Sequence, residues 1–152
     1  MSLPTNGLEV VFDGDNPRTF TGIARETISG GQLVVVSGAG NNVIGSSISQ
    51  YATSDIQVAK IVSPEAVNGI ALNTVTSGQV ITVATRGAYI LGAAGSVLAG
   101  RLVEAVDSDN IQTLSSGAVP SALHAKVPGA KIIGRAITEA GSEGFALIDL
   151  HP

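Results

Sequence analysis

The sequence predicts an all-β fold: a small single-domain β-barrel or β-sandwich built from repeated glycine-turn and strand units, with an extended N-terminal arm. Three observations carry that prediction. Short β-branched runs bounded by Gly, Asn, Asp or Ser recur along the chain, the pattern of strands closed by turns. The phrase GIARETISGGQLVVV, residues 22–36, returns 47 positions later as GIALNTVTSGQVITV, residues 69–83, with seven identities. The chain is 44% hydrophobic yet holds only 3 Phe, 2 Tyr and no Trp, so any core must be made of Val, Ile, Leu and Ala.

The elements follow in order. Residues 1–20 read as an arm or edge segment, and residues 21–152 as the barrel domain. In the arm, Leu3 and Pro4 fit an extended piece that adds to a neighbour's sheet edge, or a frayed terminus. Phe12 and Phe20 fit anchors in a neighbouring subunit, or a cover for the barrel's own bottom. Gln32–Gly38, Gln79–Gly87 and Arg101–Asn110 are strand runs ending in turn residues, and AKIIGRAIT and GFALIDL near the C-terminus read the same way. Residues 46–62 read as loop and strand. The single helix-leaning stretch, Ser121–Val127, lies between Pro120 and Pro128 and is too short to form without tertiary support.

The repeat has a physical reading. Gly31, Gly78 and Gly100 each stand after an apolar residue and two others, and each precedes Gln32, Gln79 or Arg101 and an apolar pair. Each glycine is expected to supply the permissive backbone of a tight turn with a strand starting at once. The long polar residue is expected outside and the next apolar residue inside. A shorter echo runs from NGIAL, residues 68–72, to IGRAI, residues 133–137.

Composition excludes several classes of function. A net charge of −4 with scattered basic residues argues against nucleic acid. No apolar run reaches the length of about 20 residues that spans a bilayer, and the first residues lack the basic and apolar regions of a secretory signal. Without cysteine there is no disulfide and no thiolate chemistry. His124 and His151 fall in no ligand spacing. Asp13–Asp15 and Asp107–Asn110 fail the calcium-loop pattern, and turn chemistry explains them. Ser37–Asn42 holds G-x-G without the following helix of a dinucleotide site, and no nucleophile elbow is present. The expectation is a protein with no catalytic, cofactor-binding or metal-binding residues.

The order of motifs resembles the small capsid-decoration, or cement, proteins of tailed phages. Glycine-led GQLVVV and GQVITV come first, then the strand Gly87-Ala88-Tyr89-Ile90-Leu91, then AGRLVEA, IIGRAIT and a closing GFALIDL. The resemblance runs from about Thr21 to Leu150. It departs at Gln32, Gln79 and Arg101, where the family commonly carries Asp or Glu. The resemblance implies a virion protein made in the host cytoplasm and bound to the outer capsid surface. Its partners would be the major capsid protein and copies of itself in a homotrimer, and it would stabilise the shell by bridging neighbouring capsid subunits. Two alternatives stand beside it: another phage structural or adhesion module of a tail or spike, and a small-ligand-binding β-barrel.

Overall fold

The computed structural model describes residues 10–12, 18–36, 56–62, 67–114 and 132–151. Within them lie eleven strands: β1 Val10–Phe12, β2 Thr19–Ala24, β3 Leu33–Val36, β4 Gln57–Lys60, β5 Gly69–Ala71, β6 Val80–Ala84, β7 Gly87–Ala93, β8 Leu102–Ala105, β9 Asn110–Thr113, β10 Ile132–Ala136 and β11 Phe145–Leu150. No helix occurs among the described residues. Ser121–Val127, Asp13–Asp15 and Ser37–Asn42 lie outside them.

The chain makes a barrel twice. β2, β4, β3, β5 and β6 close in that order. β7, β11, β10, β8 and β9 pair in that order, and β9 returns to β7, so a second barrel closes, with β1 added along β7. The two barrels agree in register. Ile23 faces Val80 in the first as Gly92 faces Phe145 in the second. Val34 faces Lys60 as Val103 faces Thr113, and Ile70 faces Ala84 as Arg135 faces Asp149. Each barrel closes through one parallel pair, β2 with β4 and β7 with β9.

Within each barrel the strand-turn-strand unit occurs twice, so the described residues hold four units. Residues 22–36 and 69–83 are the units of the first barrel, and they clasp each other reciprocally. Gly31 N–H donates to Ala71 O and Gly78 N–H to Ala24 O, at 2.8 and 2.7 Å. The second barrel repeats the clasp through Gly100 N–H to Ala136 O and Glu143 N–H to Ala93 O, both at 2.8 Å. All four turn residues, Gly31, Gly78, Gly100 and Glu143, have positive φ, between 65° and 93°. The conformation expected of the three glycines is therefore present, and a fourth turn uses glutamate.

The cores follow the same frame. The first barrel is filled by Ala24, Ile28, Val34, Val58, Ala71, Val75, Ile81 and Val83. Their counterparts in register are Ala93, Val97, Val103, Ile111, Ala136, Ala140, Ala146 and Ile148, which sit in or against the second cluster. Every one is aliphatic, and burying each larger side chain is worth about 1.5–3 kcal/mol. The one described aromatic at the centre is Tyr89, fully buried, whose hydroxyl donates to Arg86 O at 3.0 Å.

One expectation is corrected. The apolar residue directly after Gln32, Gln79 or Arg101 does not point into its own barrel. Val34 and Ile81 line the interior, whereas Val80 is 54% exposed and Leu33 is buried against the second barrel. The phase is set one residue later, because the turn ends at the polar residue. Gln32 and Gln79 also do more than face solvent: their Oε1 atoms accept from Ser29 N and Thr76 N, at 2.9 and 2.8 Å, and tie the turn.

Candidate functional site

The features with chemical content gather where the barrels meet. Leu33, Ile70 and Ala84 alternate with interior residues, so they face outward from the first barrel. They are nevertheless fully buried, because they share a cluster with Tyr89, Leu91, Ile133 and Leu150 of the second. The loop 106–109 between β8 and β9 seats on this face. Leu33 N–H donates to Ser108 O at 2.7 Å, and Gln32 Nε2 donates to Asp109 Oδ1 at 3.0 Å.

That loop is built by its own side chains. Asp107 Oδ1 accepts from Asp109 N, Asn110 N and Asn110 Nδ2 at 2.8, 2.9 and 3.1 Å. Ser108 Oγ donates to Asp109 Oδ2 at 2.8 Å. The Asp107–Asn110 stretch is thus the Asx turn that turn chemistry predicts. Among the described residues no group of three or more His, Cys, Asp or Glu side chains stands together to hold a metal ion.

A groove of about 270 Å³ runs beside the seated loop, between Ser29–Gln32, Leu91–Ala93, Asp109–Asn110 and Glu143–Phe145. It carries the Asp109 and Glu143 carboxylates and the ring of Phe145, which is 47% exposed. Asp109 is already engaged by Gln32 and Ser108.

The matching outer face of the second barrel differs. Leu102, Arg135 and Asp149 stand where the first barrel has Leu33, Ile70 and Ala84. Arg135 is exposed, while Leu102 and Asp149 are half-buried. Arg135 Nη1 donates to Gly100 O at 2.7 Å. Asp149 Oδ2 lies 3.2 Å from His151 Nε2.

Of the sequence-predicted contact residues, Leu3 and Pro4 lie outside the described residues. Phe12 ends β1, opposite Ala88 of β7, so its backbone extends the second barrel. Phe20 is half-buried and packs against the first barrel's own core. Gly31, Gly78 and Gly100 shape turns, with Gly31 bordering the groove. Sequence reasoning missed Glu143 and the seat of Ser108. The signal for the first was Ala136-x-x-x-Ala140-x-x-Glu143, which keeps the spacing of Ala93-x-x-x-Val97-x-x-Gly100.

No protein-family model and no curated protein matches this sequence. A solved structure does: the N base of head fiber gp8.5 in bacteriophage phi29. It superposes with a TM-score of 0.56 at 13% identity, over 88% of this chain and 92% of that one. The chain therefore shares the fold of that fiber base across most of both molecules.

Proposed function

We propose that this protein is a phage virion structural protein that binds the outer surface of an assembled head and stabilises it by bridging neighbouring major-capsid subunits. The observation that carries the reading is the fold shared with a phage head-fiber base along nearly the whole chain. The composition supports it: 13% charged residues is about half the usual share, which suits a surface covered by partners. The mechanism is linkage. A protein that binds only the assembled lattice stabilises it by mass action, and contacts to two subunits add avidity. No reaction belongs to this reading, and self-association as a trimer does.

The fiber-base likeness favours one second reading, a base that holds a further structural module on the head. Both are tested by sedimenting the purified protein with expanded and unexpanded shells of a candidate phage, after light scattering on the free protein. Trimers that co-sediment with expanded shells alone support bridging. Binding to both shell forms without any gain in shell stability favours the base. A monomer that ignores every shell overturns both.

A further inference from the structure

We propose that the Arg101–Leu102 edge of the second barrel docks a carboxylate-bearing loop of a partner protein, through a copy of the contact that the first barrel already makes with residues 106–109. In the first barrel Leu33 N–H donates to Ser108 O, and Gln32 reaches the Asp109 carboxylate. In the second barrel the same positions hold Leu102 and Arg101. The backbone around them is set the same way. Leu114 N–H donates to Leu102 O at 2.9 Å as Ile61 N–H donates to Leu33 O at 3.2 Å, and Ala136 N–H donates to Arg101 O as Ala71 N–H donates to Gln32 O, both at 2.9 Å. Leu102 N–H is thereby aimed away from β10, and it has no acceptor among the described residues.

The side chains sharpen the preference. Arg101 is exposed, and its guanidinium has no partner among the described residues. Where Gln32 offers an amide to a carboxylate, Arg101 offers a charged fork, a stronger carboxylate donor. The other described charges on this face are engaged: Arg135 on Gly100 O, Asp149 beside His151, and Glu104 Oε1 by Gln112 Nε2 at 2.8 Å. The unengaged charge is positive. Half-buried Leu102 and Ile132, 40% exposed, supply the apolar floor that Leu33 and Val67 supply in the first barrel. An acidic tight loop, with one carbonyl and one carboxylate presented as in Ser108–Asp109, fits all three features. The inference deepens the virion reading by giving the partner's chemistry, and rests on that reading only for the partner's identity.

The test uses the full chain, labelled with ¹⁵N, and a cyclic peptide with the sequence of Glu104–Gln112 as probe. In the free protein the Leu33 amide is expected to exchange slowly and the Leu102 amide fast. The peptide is expected to protect Leu102 and shift the Arg101 side-chain resonance. Arg101→Glu should weaken the peptide about tenfold or more, the loss of one charge-assisted contact. R101Q, which restores the residue of the first barrel, should keep the fold and bind between the two. A Leu102 amide already protected in the free protein, or protected by raising protein concentration alone, overturns the proposal, as does peptide binding that R101E leaves unchanged. Shell sedimentation separates the two readings. Shells bound equally by wild type and R101E sink the docking site and spare the virion reading. Peptide bound at Arg101 with every shell ignored does the reverse.

Discussion

Ile28 and Val75 exchange both of their main-chain hydrogen bonds, Ile28 N–H to Val75 O at 3.0 Å and Val75 N–H to Ile28 O at 2.9 Å. Val97 and Ala140 do the same in the second barrel, at 2.8 and 3.0 Å. Each of the four stands three residues before a turn residue with positive φ. The bridge and the turn together pin two crossing units to each other, so the stability of a barrel depends on turn geometry as much as on aliphatic burial.

The turns give the first prediction. A β-carbon on Gly78 or Gly100 would meet nothing within 4 Å, so only backbone conformation opposes it. Gly78→Ala and Gly100→Ala should each cost about 1 to 2 kcal/mol, the penalty of a left-handed residue. Glu143→Gly should instead gain about 0.5 to 1 kcal/mol, since relief of that penalty exceeds the entropy of an added glycine. Urea melts of the three variants check the opposite signs; equal signs would refute the turn account.

Gly134 presents a different case. A β-carbon there would fall on the carbonyl oxygen of Asp149, as one on Gly69 would fall on that of Ala84. Both contacts are to backbone of a paired strand, which has no rotamer to move. Gly134→Ala is expected to lose about 3 kcal/mol or more, far beyond Gly100→Ala. A thermal melt within a degree or two of wild type would show that the β10–β11 pairing relaxes.

Asp107 supports a loop that is itself a contact. Three donors converge on its Oδ1, and the loop carries Ser108 O to Leu33 N–H. Asp107→Ala should cost about 1 to 2 kcal/mol and speed exchange of the Leu33 amide. Asp107→Asn, which keeps an acceptor, should restore most of both. An unchanged Leu33 amide in the alanine variant would mean that the seat holds without the Asx turn.

Arg135 and Asp149 occupy the positions of Ile70 and Ala84. Charge there keeps the outer face of the second barrel from being an apolar patch like the one the first barrel buries. The double variant R135I/D149A should join Leu102 and Ile132 into a contiguous apolar surface and associate more than the wild-type protein does. Light scattering across a concentration series reads this directly, and an unchanged mass would show that the face tolerates the substitution.

Much of the fold was legible in the chain. The glycine before Gln32, Gln79 or Arg101 demanded a turn because side chains oppose positive φ, and the β-branched runs after it demanded strands. The echo of Gly69–Ala71 in Gly134–Ala136 marked a real equivalence, since both glycines meet a facing carbonyl. The fourth unit was hidden by Glu143, whose side chain carries no turn signal.

The sequence by itself determined the unit: where the chain turns, where a strand starts, and that the interior is aliphatic, because these are local matters of φ and of side-chain type. Only the tertiary structure decided how the units are used. Leu33 is buried because the second barrel packs against it and sends loop 106–109 across to its N–H, while Leu102 stays half-open. That contact joins residues 75 apart, Leu33 with Ser108, and no local preference of either residue encodes it. Likewise β4 and β9 enter parallel beside β2 and β7. The closure comes from hydrogen bonds that exist only once distant strands have met, which is why one repeated phrase could announce its turn but not its barrel.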